Sequence, residues 1–179
     1  LAEKGLDVVV LDAHCVGFGA SGRNGGQLAS GQRVAQPDLE QMVGVDAARR
    51  LWALGQDSKD LVKALVADHQ IDCYLRPGIA WAAESLADLE DLHRYAAFMH
   101  RHYDYDIDVP SNSDFAEMCP SPRYKGGVID WDAGHLHPLR FALGLARAAE
   151  TAGAVIHECS AVLDVTQGPR VTLRTNTGS

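Results

Sequence analysis

Apolar residues fall along this chain in two alternating rhythms. The run Asp7-Val8-Val9-Val10-Leu11 is continuous, β-branched and closed by Asp12, which predicts a buried strand of the parallel-sheet type. Before it, Leu1-Ala2-Glu3-Lys4-Gly5 reads as the last turn of a helix capped by glycine. A helix end leading into a buried strand predicts an earlier strand and helix ahead of Leu1, so the chain reads as a piece of a larger protein. A glycine-rich loop is expected over about 13–36. A helical period then appears. Leu51, Leu54, Leu61, Leu65 and Val66 mostly share one face of a helix predicted over about 46–69. The stretches 71–75 and 79–83 flank Arg76-Pro77-Gly78 and predict a hairpin. Ser85-Leu86-Ala87-Asp88 carries a capping-box signal and opens a second helix, with Leu89, Leu92, Ala96 and Met99 as its apolar stripe.

The stretch 103–122 is polar, acidic and marked by proline, and predicts loop with one short helix. A short strand is expected over 127–130. Pro138 suits the first position of a helix reaching about 152, closed by Gly153 and followed by a short buried strand over 154–158. Two more strands, 162–165 and 171–175, are joined through Gly168-Pro169, and Thr177-Gly178-Ser179 reads as a turn. A helix–strand unit that resumes after a long, mainly helical insertion points to a nucleotide-binding α/β domain carrying part of a second domain.

Composition narrows the class of function. The chain has 179 residues, 46% of them hydrophobic, and a formal charge of −8. That acidity argues against a nucleic-acid binder, which needs a basic footprint. No apolar run approaches the roughly 18 residues of a membrane span, and no charged-then-apolar leader is visible. Cys15, Cys73, Cys119 and Cys159 are scattered without a C-x-x-C pair. This points to reduced thiols in a cytoplasmic protein and away from a zinc site or a disulfide framework.

The chemistry concentrates after the first strand. Gly17-Phe18-Gly19-Ala20-Ser21-Gly22 fits G-x-G-x-x-G. That dinucleotide fingerprint must follow its strand tightly and open a helix. Here four residues intervene, and Arg23-Asn24-Gly25-Gly26-Gln27 is poor helix sequence. A NAD-dependent dehydrogenase built on this loop is therefore disfavoured. Asp12 offers the better reading, as the acid at the end of a second strand that accepts hydrogen bonds from an adenosine ribose. The primary fingerprint is then expected ahead of Leu1. The loop 19–27 becomes a second wall of the site, with Ser21, Asn24 and backbone amides as phosphate donors and Arg23 as a counter-charge.

The words Val8-Val9-Val10-Leu11-Asp12-Ala13 and Gly17 through Gln27 closely resemble FAD-dependent amine and amino-acid oxidoreductases of the D-amino-acid oxidase (glycine/sarcosine oxidase) superfamily. The A-S-G-R-N-G-G-Q wording is most similar to its gamma-glutamylputrescine oxidoreductase branch. A second matching block runs from Gly134-His135-Leu136-His137-Pro138 through Gly153-Ala154-Val155-Ile156 to Val162. The resemblance implies part of a Rossmann-like FAD-binding domain with an inserted, mainly helical portion of a substrate domain, α/β locally and α+β overall. Its implied limits are 1–45 and 134–179 for the FAD-binding parts and 46–133 for the insertion. It implies FAD as cofactor and a small-molecule amine as substrate. Asp12 and Ala13 would meet the adenosine ribose, and Ser21 and Gly22 the pyrophosphate. Arg23, Asn24, Gly25, Gly26 and Gln27 would line the flavin and its ribityl chain, and the Val162 backbone the adenine edge. Asp at position 12 departs mildly from the family's more usual Glu.

Other candidates read as structural. His137 suits a helix start and His135 brings no third metal ligand, so no metal site is assigned. His100 and His102 suit a helix C-terminus. Asp104, Asp106 and Asp108 lack the glycine and closing glutamate of a calcium loop; they read as a solvated acidic loop that could face a cationic substrate. Trp81, Trp131 and Tyr105 read as core or interface. No catalytic base is assigned. A competing class remains open, a non-catalytic nucleotide-binding or partner-binding module using the same half-site.

Overall fold

The computed structural model describes residues 1–176 and Gly178; Thr177 and Ser179, from the expected closing turn, lie outside the described residues. The chain divides into two compact units. One comprises Leu1–Gly26, Leu65–Tyr74 and His137–Ser179, the other Gln27–Ala64 and Leu75–Leu136.

In the first unit a 3-10 turn, Ala2–Lys4, ends at Gly5 in the left-handed region and leads to β1 (Val9–Leu11). Next comes a second 3-10 turn, Ala20–Gly22, where a dinucleotide fingerprint would have opened a full helix. Helix α5 (Pro138–Thr151) begins with proline at its first turn and His137 as N-cap, whose Nδ1 accepts from the Arg140 amide at 3.4 Å. Beyond α5, β5 (Val155–His157) pairs in parallel with β1, Val9 opposite Val155 and Leu11 opposite His157. The last pair, β6 (Val162–Thr166) and β7 (Thr172–Thr175), is antiparallel, as the Gly168-Pro169 turn predicts.

The parallel pairing of β1 and β5 agrees with the sequence, but their burial does not. Val9 remains 62% exposed and Val155 49% exposed. A buried parallel strand needs a layer on each face. Here the sheet has two strands, so the β-branched run is only partly covered.

The second unit is built around β4 (Gly126–His135), the central strand of the order β2–β4–β3, where β2 is Gln27–Leu28 and β3 is Arg76–Ala83. Both neighbours are antiparallel to it. The expected hairpin at Arg76-Pro77-Gly78 does not form. Those three residues open β3, whose partner is β4. Gly78, at φ +93°, sits where the register shifts between Pro77 and Ile79. Pro77 is tolerated because β3 is an edge strand. Residues 71–75 are irregular rather than extended.

Four helices complete this part of the chain. They are α1 (Gln36–Val43), α2 (Val45–Asp68, whose final residues belong to the first unit), α3 (Leu86–Tyr103) and α4 (Asn112–Met118). Helix α3 has the expected capping box, Ser85 with Asp88, and buries Leu89, Ala96 and Met99. Helix α2 has the expected span but a different buried face. Ala48, Trp52 and Lys59 are buried, whereas Leu54 and Leu61 are exposed. Trp52, Ala96, Met99, Ile107 and Val128 form the core of this unit, with Trp52 edge-on to Tyr103 and Tyr105 at ring separations of 5.6 and 4.9 Å.

Candidate functional site

Asp12 stands at the C-terminal end of β1. Its amide donates to the His157 carbonyl at 3.0 Å, and its own carbonyl accepts from Ser160 at 2.7 Å. The parallel β1–β5 ladder thus carries one residue past the strand and fixes the Asp12 backbone. Its carboxylate accepts from the His14 amide through Oδ1 at 2.8 Å. Among the described residues Oδ2 has no comparable bond, so one oxygen remains for a ligand hydroxyl. Ala13 follows, exposed.

Contacts link Asp12 to the loop beyond it. The His14 ring lies 4.2 Å from the Phe18 ring, and the Arg23 guanidinium sits 4.2 Å over the other partner of that pair, Phe18. This cation–π contact holds Arg23 on the loop surface. Asn24 ties the loop to itself. Its Nδ2 donates to the carbonyls of Ala20 and Ser21 at 3.0 and 3.2 Å, and its Oδ1 accepts from Gly26 at 2.8 Å. The Asn24 side chain therefore shapes the turn that presents Ser21 and Gly22.

The glycines divide by purpose. A Cβ on Gly22 would lie 2.0 Å from the Gly17 carbonyl oxygen, and one on Gly17 would lie 2.7 Å from Leu139 Cδ1. These two let the 3-10 turn pack against itself and α5. A Cβ on Gly19 or Gly25 would meet nothing within 4 Å. At these two positions the backbone is open. Gly26 is buried with φ +71°. Gln27 belongs to the second unit, where it pairs with His135 as part of β2. Val162 opens β6 opposite Thr175, two residues beyond the Ser160 that bonds Asp12. A cleft of about 570 Å³ within the first unit is lined by Val9, Leu11, His157, Ser160 and residues of the β7 segment.

The second unit contains a polar cluster that the sequence pattern did not reveal. Lys59, 1% exposed, donates to Ser30 Oγ at 2.8 Å, to Tyr105 Oη at 3.3 Å and to the Asp132 carboxylate. Lys63 donates to the other Asp132 oxygen at 2.6 Å. Tyr105 donates to Asp130 Oδ1 at 2.6 Å. Burial, reinforced by that Asp130 bond, pushes the Tyr105 phenol far above its ordinary range. Partial burial opposes ionisation of Asp132, but hydrogen bonds from Lys59 and Lys63 hold its carboxyl below the usual carboxylate range. The available signal was Asp-Trp-Asp at 130–132 together with Lys59, seven positions after Trp52 on the same helical face.

The remaining candidates have separate partners. His100 Nδ1 lies 2.7 Å from the Asp106 carboxylate, and Trp131 Nε1 donates to Asp108 at 3.0 Å. Asp104 caps α3 in the left-handed region. Trp131 is 52% exposed, while Trp81 and Tyr105 pack against the core. Among the described residues no group of three His, Cys, Asp or Glu is placed to hold a metal, and no helix is long and apolar enough to cross a membrane. A groove of about 1120 Å³, lined in part by Trp81, Tyr95 and Phe98, lies within the second unit and includes none of the sequence-predicted cofactor residues.

The chain is 34% identical over 178 residues to gamma-glutamylputrescine oxidoreductase of Escherichia coli, covering 99% of this chain and 42% of that protein. It is 34% identical over 168 residues to the probable oxidoreductase OrdL of Haemophilus influenzae, covering 93% of this chain and 39% of that one. The chain thus spans about two-fifths of the length of these relatives. Among solved structures, glycine oxidase from Geobacillus kaustophilus superposes with a TM-score of 0.74 at 23% identity, over 99% of this chain and 47% of that one, and so shares its fold. Residues 1–179 match the family described as DAO, FAD dependent oxidoreductase, over their whole length. The chain belongs to the DAO family of FAD-dependent oxidoreductases.

Proposed function

We propose that this chain supplies the adenosine- and pyrophosphate-facing wall of an FAD site in an oxidoreductase that oxidises the C–N bond of an amine or amino acid. A gamma-glutamylated diamine is the favoured substrate class. The observation that carries the reading is Asp12. It is a carboxylate fixed at the end of a parallel strand with one oxygen engaged at His14, followed by a loop whose Gly19 and Gly25 backbone is open.

Bound FAD supplies a two-electron acceptor for the substrate carbon. The residues of the first unit do the holding. Asp12 accepts from ribose hydroxyls beside Ala13, in the manner of an acid at a strand end. The Ser21 hydroxyl and the amides around Gly22 and Gly25 donate to the pyrophosphate, and Asn24 keeps that turn in shape. Arg23, held over Phe18, offsets negative charge nearby. The Val162 backbone is assigned the adenine edge. Gamma-glutamylputrescine as substrate is suggested by the E. coli relative's name.

Anaerobic mixing of the flavin-loaded protein with candidate substrates tests the chemistry. Bleaching of the flavin absorbance by gamma-glutamylated diamines or by amino acids is the expected outcome. Bleaching by hydroxy acids or polyol phosphates, with amines inert, would overturn the amine reading.

A further inference from the structure

Two cysteines far apart in sequence meet at the edge of the first unit. The β1–β5 register places Leu11 opposite His157, so the segments leaving the two strands run side by side. Cys15 lies in one and Cys159 in the other. The Cys159 amide donates to the His14 carbonyl at 3.0 Å, and the Val16 amide donates to Glu158 Oε1 at 2.7 Å. These bonds, one on each side of Cys15, hold its loop against the 158–159 turn. Both thiols are exposed. Cys159 has φ +52°, a conformation in which glycine or asparagine is the ordinary occupant.

We propose that Cys15 and Cys159 form a modification site, a surface dithiol that hydrogen peroxide oxidises to an intrachain disulfide. One thiol takes an oxygen from the peroxide to become a sulfenic acid, releasing water as the O–O bond breaks. The second thiol then displaces the hydroxyl, forming the S–S bond and a second water. Two thiol protons and two electrons leave the protein, and one peroxide becomes two waters. The Glu158 carboxylate, followed by Cys159, pushes the Cys15 thiol above its ordinary range, which slows oxidation starting at Cys15, since the thiolate is the attacking form. The disulfide would link the loop after β1 to the turn after β5, beside Asp12. The pair stands on the first unit's own geometry, whether or not the flavin reading holds.

The test is a cross-link map of the purified protein after mild treatment with hydrogen peroxide. Remaining thiols are alkylated, and the digest is analysed without reduction. The expected product joins the Cys15 and Cys159 peptides and is lighter by two hydrogens, while titratable thiols fall from four to two. Cys15→Ser and Cys159→Ser should each abolish the cross-link and leave the other cysteine as a sulfenic acid trapped by dimedone. Four surviving thiols, cross-links to Cys73 or Cys119, or disulfide-linked dimers would overturn the proposal. The wild-type map decides the question even where a variant folds poorly.

Discussion

Lys59 shows how a single side chain can invert a hydrophobic pattern. It occupies the buried face of α2, about two turns beyond Trp52 and about three beyond Ala48, and its ammonium is matched by Asp132. The two partners are unequal, since Lys59 is 1% and Asp132 49% exposed. Asp132→Ala leaves a buried ammonium with only hydroxyl acceptors and should cost about 3 kcal/mol. Lys59→Met should cost less, about 1 kcal/mol, because Asp132 keeps Lys63 and water. Urea midpoints measure both. The same curves carry a pH signature. The folded state holds the Asp132 carboxyl below its unfolded value, so its contribution is full above about pH 4 and is lost as pH falls through the folded pKa. Asp132→Asn should flatten that acid-side loss. The sequence could not show this cluster, because a lysine at a core position reads as a solvated one until its partner from a distant strand is known. It did show Asp12, whose position follows from local strand chemistry. For Asn24, residue type alone could not separate a phosphate donor from a turn former, and the bonds to Ala20, Ser21 and Gly26 favour the latter.

At the scale of elements, local signals were legible and distant pairings were not. The capping box of α3 and the proline start of α5 depend on neighbours a few residues away, and both stand where the pattern put them. The hairpin expected at Pro77-Gly78 depends on which strand pairs with which. The partner of β3 is β4, some fifty residues on, and the glycine serves a bulge. Strand β4 also runs past its expected end at 130, with Asp130 bonded by Tyr105 and Asp132 by Lys59 and Lys63, partners from distant elements that satisfy the two carboxylates within the strand. Gly144 in α5 weighs propensity against packing. Alanine there gains about 1 kcal/mol of helix propensity. Its Cβ, however, would fall 2.2 Å from Ile71 Cγ2, a side chain 6% exposed. Overpacking of a fixed neighbour costs about 1–3 kcal/mol, so Gly144→Ala should lower thermal stability. In an Ile71→Ala background the same substitution should become neutral or stabilising, which a double-mutant cycle by calorimetry checks.

At the scale of the whole molecule, each unit has its own logic. The second is organised by a central strand and an aromatic core. The first is organised by the parallel β1–β5 pair, whose exposed valines the continuous β-branched run did not foretell. That parallel pair places Asp12 at a strand end, where one carboxylate oxygen has no partner among the described residues, and the proposed FAD site gives that oxygen the adenosine ribose. The most direct measurement is an FAD titration of the purified protein followed by flavin fluorescence, wild type against Asp12→Ala. A hydrogen bond to a carboxylate contributes about 1.5–3 kcal/mol, so the substitution should weaken FAD binding by about tenfold or more. Equal affinity in the two proteins would contradict the account.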